Sequence, residues 1–315
     1  MARFLVTGGA GFIGSHIAER LLRDGHEVRV LDNLSTGRKS NLDLLQSLGG
    51  SRFEWLEGDL RDPAACLAAC DGAEAVFHQA ALASVQRSME NPTDTTAVNV
   101  TGTVNILSAA RARDVRRVVC ASSSSVYGNT PTLPKHEAMT PAPLSPYAAS
   151  KLAGELFAEV FTRTLGVEAV SLRYFNVFGP RQDPNSQYAA VIPLFVTALF
   201  EKRRPVVFGD GTQSRDFTFV DNVVDANLRA AAAPGAAGEA INIACGDRFS
   251  LLDLLASLGK IIGVEANPDF HPPRVGDVLH SQASIDKATR ILGFAPKVGF
   301  EEGLRRTVES VRAAR

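Results

Sequence analysis

Short apolar, β-prone runs alternate with amphipathic stretches along the first half of the chain. Arg3 to Thr7 reads as a strand, and Ser15 to Leu22 places its apolar residues at helical spacing. His26 to Leu31 is a second strand that ends at Asp32. The pattern then predicts a helix near 39–48, a strand near 52–57, a short helix near 63–70 and a strand over Glu74–His78. Helical stretches cover 91–112 and 146–165, with strands at Arg116–Ala121 and Val167–Arg173. Repeated strand–helix alternation predicts an α/β fold with a parallel sheet covered on both faces. Beyond 173 the chain is richer in Pro and Gly and holds the loop Gly179-Pro180-Arg181-Gln182-Asp183-Pro184-Asn185-Ser186. Residues 1–173 are therefore expected to form the sheet domain, with a strand and helix near 216–245 returning to it. Residues 174–315 should form mainly a smaller, mixed α/β part that closes over the sheet's carboxyl edge.

Composition narrows the class. The 315 residues are 45% hydrophobic, enough for a large core and about two domains. Net charge is −1, with no basic or acidic block, so neither nucleic acid nor a membrane surface is an expected partner. No apolar run approaches the roughly 20 residues of a membrane span, and the N-terminus lacks a signal-peptide layout; a cytoplasmic location is expected. Cys66, Cys70, Cys120 and Cys245 are scattered and form no metal-ligand spacing, which suits buried thiols in a reducing compartment.

The first strand leads directly into Gly8-Gly9-Ala10-Gly11-Phe12-Ile13-Gly14. Gly8 permits the tight turn, Gly11 lets backbone approach a pyrophosphate, and Gly14 lets the helix pack closely on the strand. Asp32 follows Gly14 by eighteen residues at the end of the second strand, where a carboxylate accepts ribose hydroxyls and repels a 2′-phosphate. NAD is expected rather than NADP, although Arg38 and Lys39 lie nearby in sequence. Tyr147 stands four residues before Lys151 on a predicted helix, so both side chains share a face. An ammonium held there is expected to lower a tyrosine pKa that is ordinarily about 10 and make it a general base. By itself the motif is a weak signal and reads first as a helix-surface pair. A hydroxyl from Ser122-Ser123-Ser124-Ser125, after the Arg116 strand, could donate to a substrate oxygen, and spacing does not choose among the four.

Taken together, Thr7 to Gly14, Asp32 to Gly37, His78-Gln79-Ala80-Ala81, Ser122 to Gly128, Tyr147 to Lys151 and Arg173 to Gly179 resemble the extended short-chain dehydrogenase/reductase family. Within it the chain is similar to nucleotide-sugar 4-epimerases, most of all the UDP-N-acetylglucosamine/UDP-glucose type, from residue 3 to about 305. The resemblance implies a Rossmann-type doubly wound sheet and NAD as cofactor. It gives Ser123 and Tyr147 as the catalytic hydroxyl pair, Lys151 as the lysine on the nicotinamide ribose, and Ser124 as a second hydroxyl near the sugar. It places Asn33, Ser35, Thr36, Gly37, Asp59, Leu60, Gln79, Ala80, Ala81, Asn99 and Tyr174 around the cofactor. For the UDP-sugar it implies Asn176 at the phosphates, Ala190, Val191, Val207 and Phe208 around uracil and ribose, and Arg215, Arg274 and Asp277 on diphosphate and ribose. Guanidinium forks suit a diphosphate and carboxylates suit vicinal hydroxyls.

Ser281 matches a pocket-limiting position that is tyrosine in relatives restricted to non-acetylated sugars, so the resemblance implies room for an N-acetyl group. Related 4,6-dehydratases carry an Asp-Glu pair after the catalytic hydroxyl and decarboxylases a Glu close by; here Ser124 and Ser125 follow Ser123. UDP-glucuronate 4-epimerase stays open, with Ser84, Arg87 and Ser124 as candidate contacts for its carboxylate. A non-catalytic NAD-binding regulator is a further alternative, and it would have no need of Ser123, Tyr147 and Lys151. The resemblance also implies a homodimer through the helices at 91–112 and 146–165. Ala148, Leu152, Leu156 and Val160 make an apolar stripe there, although such stripes also face a protein's own sheet.

Overall fold

The computed structural model describes residues 1–183, 190–273, 279–313 and 315. In chain order the elements are β1 (Arg3–Thr7), α1 (Phe12–Arg23), β2 (Glu27–Asp32), α2 (Lys39–Gly49), β3 (Phe53–Glu57), α3 (Pro63–Cys70) and β4 (Ala75–His78). Next come α4 (Val85–Glu90), α5 (Pro92–Thr96), a π-helical turn (Ala97–Thr101), α6 (Gly102–Ala112), β5 (Arg117–Ser123), α7 (Pro146–Leu165) and β6 (Glu168–Tyr174). The remainder holds β7 (Val177–Phe178), α8 (Val191–Phe200), β8 (Val206–Phe208), β9 (Ser214–Arg215), β10 (Thr218–Phe219) and α9 (Val220–Ala232). It continues with β11 (Ala240–Ile243), β12 (Phe249–Ser250), α10 (Leu251–Ile262), β13 (Asp269–His271), α11 (Asp286–Leu292) and α12 (Phe300–Ala313).

Seven parallel strands form the central sheet in the order β11-β6-β5-β4-β1-β2-β3. Alternation along each strand divides its side chains between two cores. Val6, Val119 and Val170 pack with α1, α2 and α9 on one face. Their neighbours Leu5, Val118 and Ala169 pack with α3, α6 and α7 on the other. The sheet is thus the doubly wound Rossmann type, and strand order reverses between β1 and β4. At such a switch point the crevice outside the carboxyl ends of the strands is the binding position.

Register brings the chemistry-bearing strand ends together. Thr7 pairs with His78, His78 with Cys120, and Ser123 with Tyr174. The residues that follow β1, β4, β5 and β6 therefore lie side by side along one edge.

Beyond that edge, short strand pairs β7–β10, β9–β12 and β8–β13 and helices α8, α10 and α12 enclose a third core. Its centre is aromatic: Phe300 stacks on Phe249 at 4.0 Å and on Phe217 at 5.5 Å. Among the described residues no helix is long and apolar enough to cross a membrane.

Candidate active site

The glycine turn and α1 form one wall of a cavity of about 340 Å³, which Gly8, Gly11, Phe12, Ile13 and Gly14 line. Gly8 has φ +69°, and a Cβ there would lie 2.7 Å from the Ala80 backbone. A Cβ on Gly14 would overlap the Gly8 carbonyl. No side chain caps the start of α1 at Gly11, so its first N–H groups are available to an anion. Asp32, Asn33, Ser35 and Thr36 line the opposite wall, and Asp59, Leu60, Gln79, Ala80 and Ala81 complete it. The Asp32 carboxylate accepts N–H groups of Ala10 at 3.0 Å and Leu34 at 2.8 Å. Burial nevertheless raises its pKa above the usual carboxylate value. An uncapped helix end and the Asp32 carboxylate, held in place by two N–H groups, face one cleft and fit a dinucleotide. The residues present therefore suit NAD.

Three residues expected at the cofactor stand behind this wall. Gly37 packs against Ala10 and Asp32. The buried Asn99 bonds the Leu82 N–H at 2.8 Å and Ser150 Oγ at 3.0 Å. Tyr174 donates to Gln79 Oε1 at 3.0 Å and holds that side chain against Asn227. They support the site from the second layer.

Arg61, Arg87 and Asp94 also line the cavity and were not singled out as cofactor residues from sequence. Arg61 hydrogen-bonds Asp59, which holds that carboxyl down at about 2. It also bridges to Asp94 at 3.2 Å, with Arg87 3.6 Å away on the other Asp94 oxygen.

Ser145 caps α7 by accepting the Ala148 N–H, Pro146 occupies its first turn, and Gly166 at φ +75° ends it. The helix so fixed lays Tyr147, Lys151 and Glu155, four residues apart, along the end of β5. Ser123 hydrogen-bonds the Tyr147 hydroxyl. Ser125 Oγ donates to Ser123 Oγ at 2.9 Å. Lys151 Nζ donates to the Ala121 carbonyl at 2.8 Å. Ser122 points the other way, since strand positions alternate, and donates to Glu155 at 2.5 Å. Ser124 begins a short 3₁₀ turn, Ser124–Tyr127. The four serines are thereby distinguished: Ser123 faces Tyr147, Ser125 supports it, and Ser122 is structural.

The electrostatics correct one expectation. Tyr147 is not lowered by Lys151: burial raises its pKa, and only the Ser123 hydrogen bond opposes that. The ammonium is directed at the Ala121 carbonyl, and the half-buried phenolate loses part of its hydration. Burial also pulls Lys151 down to about 8, opposed by the neighbouring Cys120 and Glu155.

A second cavity of about 290 Å³ lies beyond β6, lined by Asn176, Ala190, Val191, Phe208 and Arg215. Gln182, Gln213, Phe217 and Leu251 line it too and were not marked in the sequence as site residues. Asn176 has φ +33° and donates to the Asp216 carbonyl at 3.2 Å. Val207 is corrected: its side chain is fully buried in the core, because Val206 and Phe208 take the cavity side of β8. Ser281 is 9% exposed and its N–H donates to Ser214 O at 3.0 Å. Asp216 pins that segment by accepting N–H groups of Cys245, Gly246 and Ala283. Burial pushes its carboxyl up to about 6. Ser84 caps α4 by accepting the Arg87 N–H. Arg274 and Asp277 lie outside the described residues, as does most of the loop after Asp183.

Ser123 ends the strand that runs between those leading to the two cavities. β5 is flanked by β4, whose following residues line the first, and by β6, whose following residues line the second. The four cysteines are free thiols that burial pushes up to about 12. Among the described residues no group of His, Cys, Asp and Glu could hold a metal ion.

Comparison with known proteins follows the same geometry. The pattern of the NAD dependent epimerase/dehydratase family matches residues 4–244. A UDP-glucose 4-epimerase of Mycolicibacterium smegmatis is 42% identical over 312 residues, covering 98% of each chain. The structure of a UDP-N-acetylglucosamine 4-epimerase from Methanobrevibacter ruminantium, in complex with UDP-N-acetylmuramic acid, superposes with TM-score 0.94 at 37% identity. It covers 100% of this chain and 99% of that one. The UDP-glucose 4-epimerase of Thermus thermophilus in complex with NAD superposes with TM-score 0.89 at 37% identity, over 99% of this chain and 100% of that one. UDP-glucuronate 4-epimerases, decarboxylases and a dTDP-glucose dehydratase are also among the relatives. Likeness over the whole length, with a cleft that suits the dinucleotide, settles the family: the chain belongs to the NAD-dependent epimerases/dehydratases, among their UDP-sugar 4-epimerases.

Proposed function

We propose that the protein interconverts C4 epimers of UDP-sugars, UDP-GlcNAc with UDP-GalNAc and UDP-glucose with UDP-galactose. The observation that carries this is the Ser123–Tyr147 contact at the end of β5, whose neighbours β4 and β6 lead to a dinucleotide cleft and a second, partly apolar cavity, with hydroxyls and no acid following Ser123. Bound NAD supplies a hydride acceptor and donor at C4 and a positive charge that favours the phenolate. Tyr147 takes the proton from the sugar O4 and returns it after the 4-keto sugar has turned over. Ser123 donates to the C4 oxygen and shares the proton's path, with Ser125 orienting it. Lys151 holds the ribose side of the site and adds positive charge. Asn176 and Arg215 hold the diphosphate, and Ala190, Val191 and Phe208 hold the uridine. Arg274 and Asp277 are assigned to the same nucleotide from the family resemblance. Anchoring the nucleotide keeps the keto sugar from escaping while its reacting ring moves.

Ser281 is assigned to the acetylated substrate from the family resemblance, as a small side chain where a tyrosine would limit the pocket. Ser281→Tyr is expected to abolish turnover of UDP-GlcNAc and spare UDP-glucose. Loss of both activities, or of neither, would count against that role. The glucuronate alternative loses one support, because Arg87 is paired with Asp94 at the cofactor cleft; only the hydroxyls of Ser84 and Ser124 remain for a carboxylate.

A second copy of the chain is the partner we assign to α7. Ala148 is buried and Leu152 packs inward, so the stripe expected there divides. Leu156, Phe157 and Val160 are left exposed at 55%, 37% and 50%. Free buried thiols suit the reducing cytoplasm.

The test is incubation with UDP-GlcNAc, UDP-glucose and UDP-glucuronate separately, with no NAD added, following C4 inversion by proton NMR. Conversion of UDP-GlcNAc without added cofactor is the expected result. Conversion of UDP-glucuronate alone would replace this function with the uronate one, and no conversion of any would remove it.

A further inference from the structure

His78 closes β4 and has no part in the proton transfers above, yet it is buried between two hydroxyls. Its Nδ1 lies 2.8 Å from Thr7 Oγ1 and its Nε2 3.0 Å from Thr103 Oγ1. The Thr103 hydroxyl donates to the Asn99 carbonyl at 2.6 Å, so only its lone pair can face the imidazole. That assigns the ring hydrogen to Nε2 and leaves Nδ1 an acceptor. Thr7 must then donate to Nδ1, while its own lone pair accepts the Ala80 N–H at 3.3 Å. On the far side, Asn99 accepts the Leu82 N–H at 2.8 Å and donates to Ser150 Oγ at 3.0 Å. Ser150 donates to the Tyr147 carbonyl at 2.8 Å.

These contacts tie two walls of the site to one another. Thr7 immediately precedes Gly8, and Ala80 closes against Gly8 so tightly that no Cβ fits between them. Asn99 stands in the π-helical turn, a widened winding that is frequent at functional sites. Tyr147 is the catalytic base. Direction is unique: only neutral His78 with hydrogen on Nε2 lets every hydroxyl donate once and accept once. Burial supports the neutral form, since it holds His78 down at about 3, with Lys151 adding to the effect.

We propose that Thr7, His78, Thr103, Asn99 and Ser150 act as one positioning chain, with His78 its relay, that fixes the glycine-turn wall against the helical turn bearing Tyr147. These are positioning residues, and the inference rests on the epimerase reading above. A misplacement of about 1 Å between base and reacting carbon costs on the order of a hundredfold in rate, so slack anywhere in the chain should appear in kcat and leave KM nearly unchanged.

The experiment is a double-variant cycle on Thr7→Val and Ser150→Ala, at opposite ends of the chain, with wild type in the same NMR assay. Each variant is expected to lower kcat about tenfold with KM within about twofold, and the double variant to lower it little further, because residues acting as a unit are not additive. His78→Leu is expected to lose about a hundredfold, with part recovered in His78→Gln, whose amide can accept from Thr7 and donate to Thr103. Independently of turnover, ¹⁵N NMR of the unsubstituted protein should show His78 Nε2 protonated, Nδ1 bare, and no titration above pH 5. Multiplying effects in the double variant, or a proton on Nδ1, would overturn the positioning chain while wild-type turnover left the epimerase reading intact. A wild type inactive on every UDP-sugar would instead remove the epimerase reading, and the nitrogen assignment would still decide the chain's geometry.

Discussion

Glu155→Gln should be among the costliest isosteric changes in the molecule. Glu155 and Arg173 are 6% and 5% exposed at the side chain. Arg173 Nε and Nη2 donate to the two carboxylate oxygens at 2.9 and 2.7 Å. Its Nη1 donates to the Tyr127 hydroxyl at 2.8 Å, which donates in turn to Asn242 at 2.7 Å. Replacing the carboxylate with an amide opens no cavity, so packing contributes nothing to the loss. What remains is a buried guanidinium without a counter-charge, a situation that costs about 3–5 kcal/mol. Glu168→Gln provides the contrast. Arg117 is equally buried at 1%, but Glu168 is 48% exposed, and Arg117 also donates to the carbonyls of Ala230 and Ala233. Solvent screens that carboxylate, and its removal should cost about 1 kcal/mol or less. Urea unfolding at pH 7.5 with equal NAD content reads both, as a change in midpoint at constant m. The double variant Glu155→Gln/Arg173→Met should recover most of the loss, since it removes the stranded charge. Equal losses in Glu155→Gln and Glu168→Gln, or no recovery in the double variant, would refute the reasoning.

Three further outcomes follow from single groups. Lys151 lies near 8 in the fold, so kcat/KM should fall above about pH 8 as the ammonium is lost; a flat profile to pH 9.5 would contradict it. Its folded pKa is below its unfolded value of about 10.4, so the unfolded chain binds more protons between the two. Lys151 therefore adds stability as pH rises through that window. Asp216 has the opposite sign of shift for an acid: about 6 folded against 3.8. The stability it contributes is present below about pH 4 and is lost as pH rises to about 6. Carboxyl ¹³C NMR should give a midpoint near 6, and one below 4 would mean that its three N–H donors outweigh burial. Gly14→Ala should yield protein without retained NAD, read from the 260/280 nm absorbance ratio. The new methyl overlaps the Gly8 carbonyl oxygen and lies 2.8 Å from its carbon, backbone that no rotamer change can move; full NAD content would show that α1 can shift.

The sheet was legible because each strand is a β-prone run between breakers, and parallel strands buried on both faces keep that signal unbroken. What escaped notice was short or depended on distant contact. α4 spans six residues, too few for a helical stripe to repeat. The helical stretch 91–112 proved to be α5, a π turn and α6, because one widened turn leaves the apolar spacing almost unchanged. Val207 was marked as a substrate contact, yet a one-residue step along a strand turns a side chain from cavity to core.

The same contrast separates the chemistry from the specificity. Gly8 to Gly14 and Tyr147 to Lys151 are local: their geometry is set by a turn and a helical pitch, so their spacing in sequence is their spacing in space. The serines before Tyr127 show where that ends. Ser122 to Ser125 are identical letters, and only the strand's alternation and the arrival of Glu155 from α7 decide which hydroxyl meets Tyr147. The Tyr147 pKa failed for a related reason: proximity to an ammonium is written in the sequence, whereas burial is a property of everything that packs around it. The second cavity carries this furthest, since Asn176, Ala190, Phe208, Arg215 and Leu251 converge from separate segments with no common period. On the function proposed above, the chemical step is thus encoded in short motifs, while the choice of sugar is assigned to side chains such as Ser281 whose neighbours only folding supplies. For that reason substitutions at Ser281 should change which substrate turns over without changing how it does so.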